Sequence, residues 1–299
     1  MSEPTIGTLA SPAWPPAEAS GPATTSTTPT TPPAPPRISR FREPGEGASL
    51  SISLATVAGL LGLWWWVTAM GWIPPLFLPS PQAVWQQLHD YALGQANDHS
   101  LWAHLGASLG RVLLAFVLAC LTAIPVGIAM GSSRWARGVL DPLLEFYRPL
   151  PPLAYLPLII IWCGINELPK VLLIYLSCFA PLALAARSGM RQASPEQIQA
   201  AASLGARHWQ LVRHVLLPAA LPEILVGMRI ALGFGWTTLV AAEMVAASLG
   251  LGQLVLNASN FLRTDIVVMG ILVIGSVACA MDLLMRALER RLAPWKGRG

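Results

Sequence analysis

Long apolar runs alternate with short polar ones along this chain of 299 residues. Six runs lie near residues 51–70, 112–131, 142–163, 168–186, 221–247 and 266–285. As helices, each is long enough for a hydrocarbon layer of roughly 30 Å. The pattern therefore predicts an all-α, polytopic membrane protein with about six transmembrane helices. The third run is the most interrupted, by Glu145, Arg148, Pro149, Pro151, Pro152 and Pro157. Its first part is expected to be broken or interfacial, which is tolerated where protein covers the backbone or a cavity borders it.

Between the fourth and fifth runs the polar positions organise differently. Ser194 to Pro222 reads as two short helices hinged at a glycine. Ser194 is a natural N-cap, Pro195 suits the first helical position, and Gln197 completes a capping box. The first helix is expected over Pro195–Leu204. Gly205 permits a turn most residues resist. The second helix is expected over Arg207–Leu216, ending before Pro218. The pattern alone fits an amphipathic elbow lying on the membrane as well as it fits a surface gripped by another subunit.

Composition supports the membrane reading. The chain is 54% hydrophobic and 11% charged, against about 25% charged residues in soluble domains. Residues 1–36 hold ten prolines with many Thr, Ala and Ser. Residues 1–48 are expected to form a disordered Pro/Thr-rich tail, and 49–297 the transmembrane domain. The tail lacks the basic start and apolar core of a signal peptide. The segment Gly71–Gly110 forms a long outer loop, read either as a dock for an external partner or as a re-entrant or surface loop.

Basic residues set the orientation. Arg37, Arg40 and Arg42, then Arg134 and Arg137, then Arg187, Arg191, Arg207 and Arg213, then Arg286, Arg290, Arg291, Lys296 and Arg298 flank alternate ends of the runs. The opposite flanks carry only Lys170 and Arg263. Both termini and the elbow are thus expected in the cytoplasm, with Trp72 and Trp295 as interfacial anchors.

Catalytic chemistry is missing. The only two lysines are Lys170 and Lys296, and no G-x-x-x-x-G-K-[ST] occurs. The chain is not expected to hydrolyse ATP through a P-loop, nor is an enzyme motif of the H-E-x-x-H or G-x-S-x-G kind present. His89, His99 and His104 lack zinc-like spacing, and no metal site is expected. Cys120, Cys163, Cys178 and Cys279 all lie in apolar runs without a CxxC pair.

Ionisable residues in or beside spans are functional candidates. Glu145 and Arg148, three apart, suit a pair on one helix face. Glu223 and Asp282 lie near cytoplasmic ends. Glu243 has no basic residue one turn away. Arg148 and Glu243 are the candidate pathway residues, with hydrogen-bonded packing the competing role for Glu243. Gly127 and Gly131 form one G-x-x-x-G, a motif of close helix packing. A secondary transporter is expected to show internal repeats and midplane coupling groups; no convincing repeat is evident, and Glu243 is the only deep acid. A channel driven by a separate ATPase needs only a cytoplasmic handle.

The elbow resembles the signature of binding-protein-dependent ABC importer permeases, E-A-A-x3-G-x9-I-x-L-P. Here it reads Gln199-Ala200-Ala201, three residues, Gly205, nine residues, Val215, one residue, Leu217-Pro218. The spacing is intact, with Gln in place of Glu at 199 and Val in place of Ile at 215. RPLPPLAYLPLIIIWCG at 148–164 and RALERRLAPW at 286–295 resemble the nitrate/sulfonate/taurine branch, and PLFLPSPQAVWQQL and GWTTLVAAE resemble its taurine-uptake members. The resemblance implies a type I importer permease fold in a bacterial inner membrane and a homodimer of permease chains. It also implies two separate ATP-binding subunits that carry ATP and magnesium, and a periplasmic or extracellular substrate-binding protein. Gln199, Ala200, Ala201, Gly205, Val215, Leu217 and Pro218 would couple to the ATPase. The implied cargo is taurine or a related alkanesulfonate; nitrate or another small organic substrate is the alternative.

Overall fold

The computed structural model describes residues 50–95 and 99–294. The tail expected over 1–48, the anchor expected at Trp295 and the last basic residues, Lys296 and Arg298, lie outside them. All packing below belongs to the compact unit Ile52–Gly299.

All regular structure among the described residues is helical. In chain order the helices are α1 (Leu50–Ala69), α2 (Pro81–Ala92), α3 (Leu101–Ser132), α4 (Arg134–Tyr147), α5 (Pro152–Cys163) and α6 (Glu167–Gly189). They continue as α7 (Pro195–Ser203), α8 (His208–Leu211), a π turn over Val212–Leu216, α9 (Leu217–Ala246), α10 (Leu251–Asn260) and α11 (Thr264–Leu292). Five helical stretches are long and apolar enough to cross a membrane: Ile52–Ala69, Leu101–Ser132, Glu167–Gly189, His208–Ala246 and Thr264–Leu292.

The third predicted span is where the pattern and the structure part. It is split into the end of α4, a break over Arg148–Pro151, and α5 with only 12 residues. At 1.5 Å per residue α5 covers about 18 Å, well short of the layer. Pro149 and Pro151 have no N–H to continue α4, and Pro152 restarts a helix at its first position. Two other spans are longer than expected. α3 begins at Leu101, capped by Ser100, because His104, Ser108 and Arg111 lower the local hydropathy yet are buried in the fold. The fifth span runs unbroken from His208, so the elbow's second helix does not end before Pro218. Leu217 donates to the Val212 carbonyl across a π turn. That wider turn directly precedes Pro218, which has no donor to contribute.

α6 is the centre of the bundle, packed between α3 and α9. Small residues set these contacts. Ala115, Ala119 and Ala123 of α3, Ala183 and Ala186 of α6, and Ala220 and Ala231 of α9 are fully buried. A side chain at Gly127 would overlap Ala183 and Ala186, and one at Gly131 would overlap Met190. The G-x-x-x-G is thus where α3 and α6 touch. Lipid tails are as apolar as leucine, so such van der Waals fit, rather than hydrophobic transfer, holds the helices together.

Candidate functional site

The elbow is built from two locally encoded ends. Gln197 N–H donates to Ser194 Oγ at 3.3 Å, and Ser194 N–H donates to Gln197 Oε1 at 3.2 Å. The capping box read from the sequence is therefore formed. At the other end Gly205 N–H donates to Ala202 O at 2.9 Å and Ala206 N–H to Ala201 O at 3.1 Å. This pair of bonds is a Schellman motif, with Gly205 in the left-handed region at φ +78°. It ends α7 at Ser203, one residue before the expected Leu204. Arg207 N–H donates to Gln210 Oε1 at 2.8 Å and starts α8.

α7 has no buried residue. Leu204 is 90% exposed and Trp209 68% exposed, on either side of the hinge. A side chain at Gly205 would meet open space. Of the signature residues, Gln199, Ala200, Gly205 and Pro218 are exposed, and Ala201, Val215 and Leu217 are half-buried. Leu217 packs with Met190, Val212, Ala220 and Ile224, which roots the elbow in α6 and α9. The arrangement is a firmly rooted, pre-folded knob carrying two unpartnered apolar side chains.

The candidate pathway residues fall in different places. Glu243 is fully buried, at 0% exposure. It accepts from Ser108 Oγ at 2.7 Å, from an Arg111 terminal nitrogen at 2.7 Å and from Gly252 N–H at 2.9 Å. Arg111 also makes a two-pronged contact with Glu167, at 2.6 and 3.0 Å, and donates to the Leu249 carbonyl at 2.6 Å. Lys170 closes the set on Glu167 at 2.7 Å. Two cations and two carboxylates balance, and they tie α3, α6, α9 and the start of α10 together. A side chain at Gly250 would overlap the Glu243 carboxyl. Packing, the competing role for Glu243, is the geometry found. The sequence reading missed its partner, because Arg111 lies 132 positions away. The one available signal was His104, Ser108 and Arg111 at i, i+4 and i+7 on a single helix face.

Arg148 is exposed, at the C-cap of α4. It makes no ion pair with Glu145 among the described residues, although its backbone still completes the last turn of α4. Instead it borders a cavity of about 280 Å³ with Tyr155, Ser177, Ile230 and Phe234, between α5, α6 and α9. Tyr147 holds this wall by donating to the Leu176 carbonyl at 2.6 Å. At the end expected to be cytoplasmic, Arg187 of α6 pairs with Asp141 of α4.

Comparison with known proteins places this architecture. The family described as binding-protein-dependent transport system inner membrane component matches residues 123–294. The taurine transport system permease protein TauC of Escherichia coli is 53% identical over 83% of this chain and 90% of its own length. The putative aliphatic sulfonates transport permease protein SsuC of the same organism is 35% identical, over 79% of this chain and 89% of that protein. In structure, the chain resembles the inward-facing MetNI methionine ABC transporter, with a TM-score of 0.56 and 17% identity over 64% of this chain and 97% of that one. An amino acid ABC transporter solved with histidines gives a TM-score of 0.52 and 22% identity over 66% of this chain and 92% of that one. Likeness at these identities speaks for the fold.

Proposed function

The chain belongs to the binding-protein-dependent transport system inner membrane components, and we propose that it carries taurine or a related alkanesulfonate into the cell. It is the multi-pass permease of an ABC importer in the inner membrane. ATP is bound by a partner ATPase, and a substrate-binding protein delivers the cargo. The taurine reading is supported by the 53% identity to the E. coli taurine permease across most of both chains.

In the proposed assembly two copies of the chain form the pathway, and each elbow docks on one of two ATPase subunits. Both termini and the elbow lie in the cytoplasm. The exposed knob around Gly205 carries this reading: it is rigid by its own hydrogen bonds and has apolar side chains with nothing to cover them. Small Ala200 and Ala201 allow close approach. Leu217 and the continuous helix from His208 to Ala246 make a lever, so a push on the elbow is transmitted along α9 without a flexible joint. Gln199 supplies a neutral hydrogen-bonding group where the family signature has a carboxylate. ATP and the loaded binding protein both favour one conformation of the pair of permeases, and each shifts the population by its differential affinity.

The test is co-purification of the chain with its ATPase in detergent, followed by ATP hydrolysis in liposomes with the binding protein and taurine. Wild type should pull down the ATPase, and loaded binding protein should stimulate hydrolysis. Stimulation by a different ligand only would keep the importer and change the cargo. Failure of any ATPase to associate would leave the elbow as a membrane-surface feature.

A further inference from the structure

The break in the third predicted span lies against the middle of the bundle. The cavity of about 280 Å³ beside it is bordered by Ser177 and Ala180, at the middle of α6, and by Ile230 and Phe234, at the middle of α9. Irregular backbone is tolerated at membrane depth where it lines a cavity. Interrupted helices at mid-depth also frame the cargo sites of secondary transporters. We propose that this cavity is an anion site on the path of the cargo, with Arg148 and Tyr155 as its donors to the sulfonate oxygens. The identity of the cargo rests on the reading above; the site rests on its own geometry.

Arg148 is the one charged residue bordering the cavity among the described residues. It is exposed, and its guanidinium makes no hydrogen bond or ion pair among them. Glu145, one turn back along α4, is exposed and does not border the cavity. Charged residues inside spans face protein or water-filled space rather than lipid, so a charge here marks a wetted path. Tyr155, in the first turn of α5, is half-buried. Its hydroxyl makes no hydrogen bond among the described residues and is not sealed from solvent. Ser177, by contrast, already donates to the Ile174 carbonyl at 2.7 Å. Arg148 and Tyr155 are therefore the donors left to the wall.

The rest of the wall is mostly apolar, and Ile230 and Phe234 suit a short carbon chain. Small-molecule pockets start at roughly 300 Å³, so this one fits a cargo of a few heavy atoms. The middle of a span is about 15 Å from either headgroup layer, which favours a free anion over a lipid headgroup. One unpaired charge and one hydroxyl make a shallow site. Such a site suits passage, because cargo held too tightly would not leave.

The test uses the complete transporter in phosphatidylcholine nanodiscs without binding protein, titrated with radiolabelled taurine and, separately, radiolabelled sulfate. The variants are Arg148→Gln, Arg148→Lys and Tyr155→Phe. Neither polar group is bonded within the described residues, so the fold should be kept; co-purification with the ATPase checks this. Saturable taurine binding should weaken about tenfold in Arg148→Gln and in Tyr155→Phe, the loss of one charge-assisted hydrogen bond. Arg148→Lys keeps the charge and should bind more tightly than Arg148→Gln. Binding equal to wild type in Arg148→Gln or Tyr155→Phe, or no binding of either ligand to wild type, overturns the site. Equal loss in Arg148→Lys and Arg148→Gln shows a packing role for Arg148 and overturns it too. Sulfate binding that depends on Arg148 and Tyr155, without taurine binding, keeps the site and removes taurine as the cargo. Displacement of both ligands by added phosphatidylglycerol assigns the cavity to a lipid headgroup and overturns its transport role.

Discussion

Glu243 is the residue whose meaning changes most with its surroundings. In sequence it is a lone acid in an apolar helix; in the fold it is the buried half of a balanced set. Replacing it by Ala leaves Arg111 and Lys170 to share Glu167 alone, with one buried positive charge unbalanced. Removing one partner of a buried ion pair costs about 3–5 kcal/mol. We expect a lower unfolding midpoint in detergent, read by heating and following soluble oligomer. The double replacement Glu243→Met with Arg111→Leu removes both charges and should recover most of the loss, leaving Glu167 and Lys170 to pair with each other. A double variant as unstable as the single one would argue against charge stranding as the cause. Gly250 belongs to the same unit: its Cα sits where only hydrogen leaves room for the Glu243 carboxyl, and Gly250→Ala should lower the midpoint too.

The elements divide into those that follow local rules and those that do not. α7 follows them. Its N-cap, first-position proline, capping box and terminal glycine are all legible within twelve residues, because each end of a short helix is satisfied by neighbours in sequence. Ser194→Ala should cost about 1 kcal/mol and lower stimulated ATP hydrolysis modestly, without loss of the complex. Gly205→Glu is expected to act differently. No atom of this chain occupies the space a side chain would enter, so membrane insertion should be retained. Backbone strain of about 1–2 kcal/mol and bulk at the contact should abolish ATPase co-purification and uptake. Normal uptake by that variant would remove the elbow from the mechanism. α9 does not follow local rules at its start: Pro218 reads as a stop, yet a π turn carries the helix through it. α5 shows the reverse, an apolar helix cut short by the prolines that precede it. Gly127→Leu should separate α3 from α6 and be destabilising by overpacking, about 1–3 kcal/mol or more, seen as poor yield of folded protein.

At the scale of the molecule, the distribution of basic residues predicts a cytoplasmic elbow. With native cysteines replaced, a single cysteine at Ser203 should be labelled by an impermeant maleimide only in inverted vesicles, and one at Gln95 only from outside; the opposite result would reverse the topology. The sequence by itself determined the membrane class, the helical periodicity, five of the spans in outline, the elbow and its hinge, and the absence of a P-loop. These are local properties: hydropathy over twenty residues, or a cap and its partner three residues apart. Only tertiary structure decided that Glu243 is locked to Arg111 and that Arg229 of α9 reaches Asp282 of α11. Each of these joins helices more than fifty positions apart. Electrostatic balance in a membrane interior depends on which charges meet across helices, and spacing along one chain carries no record of that meeting.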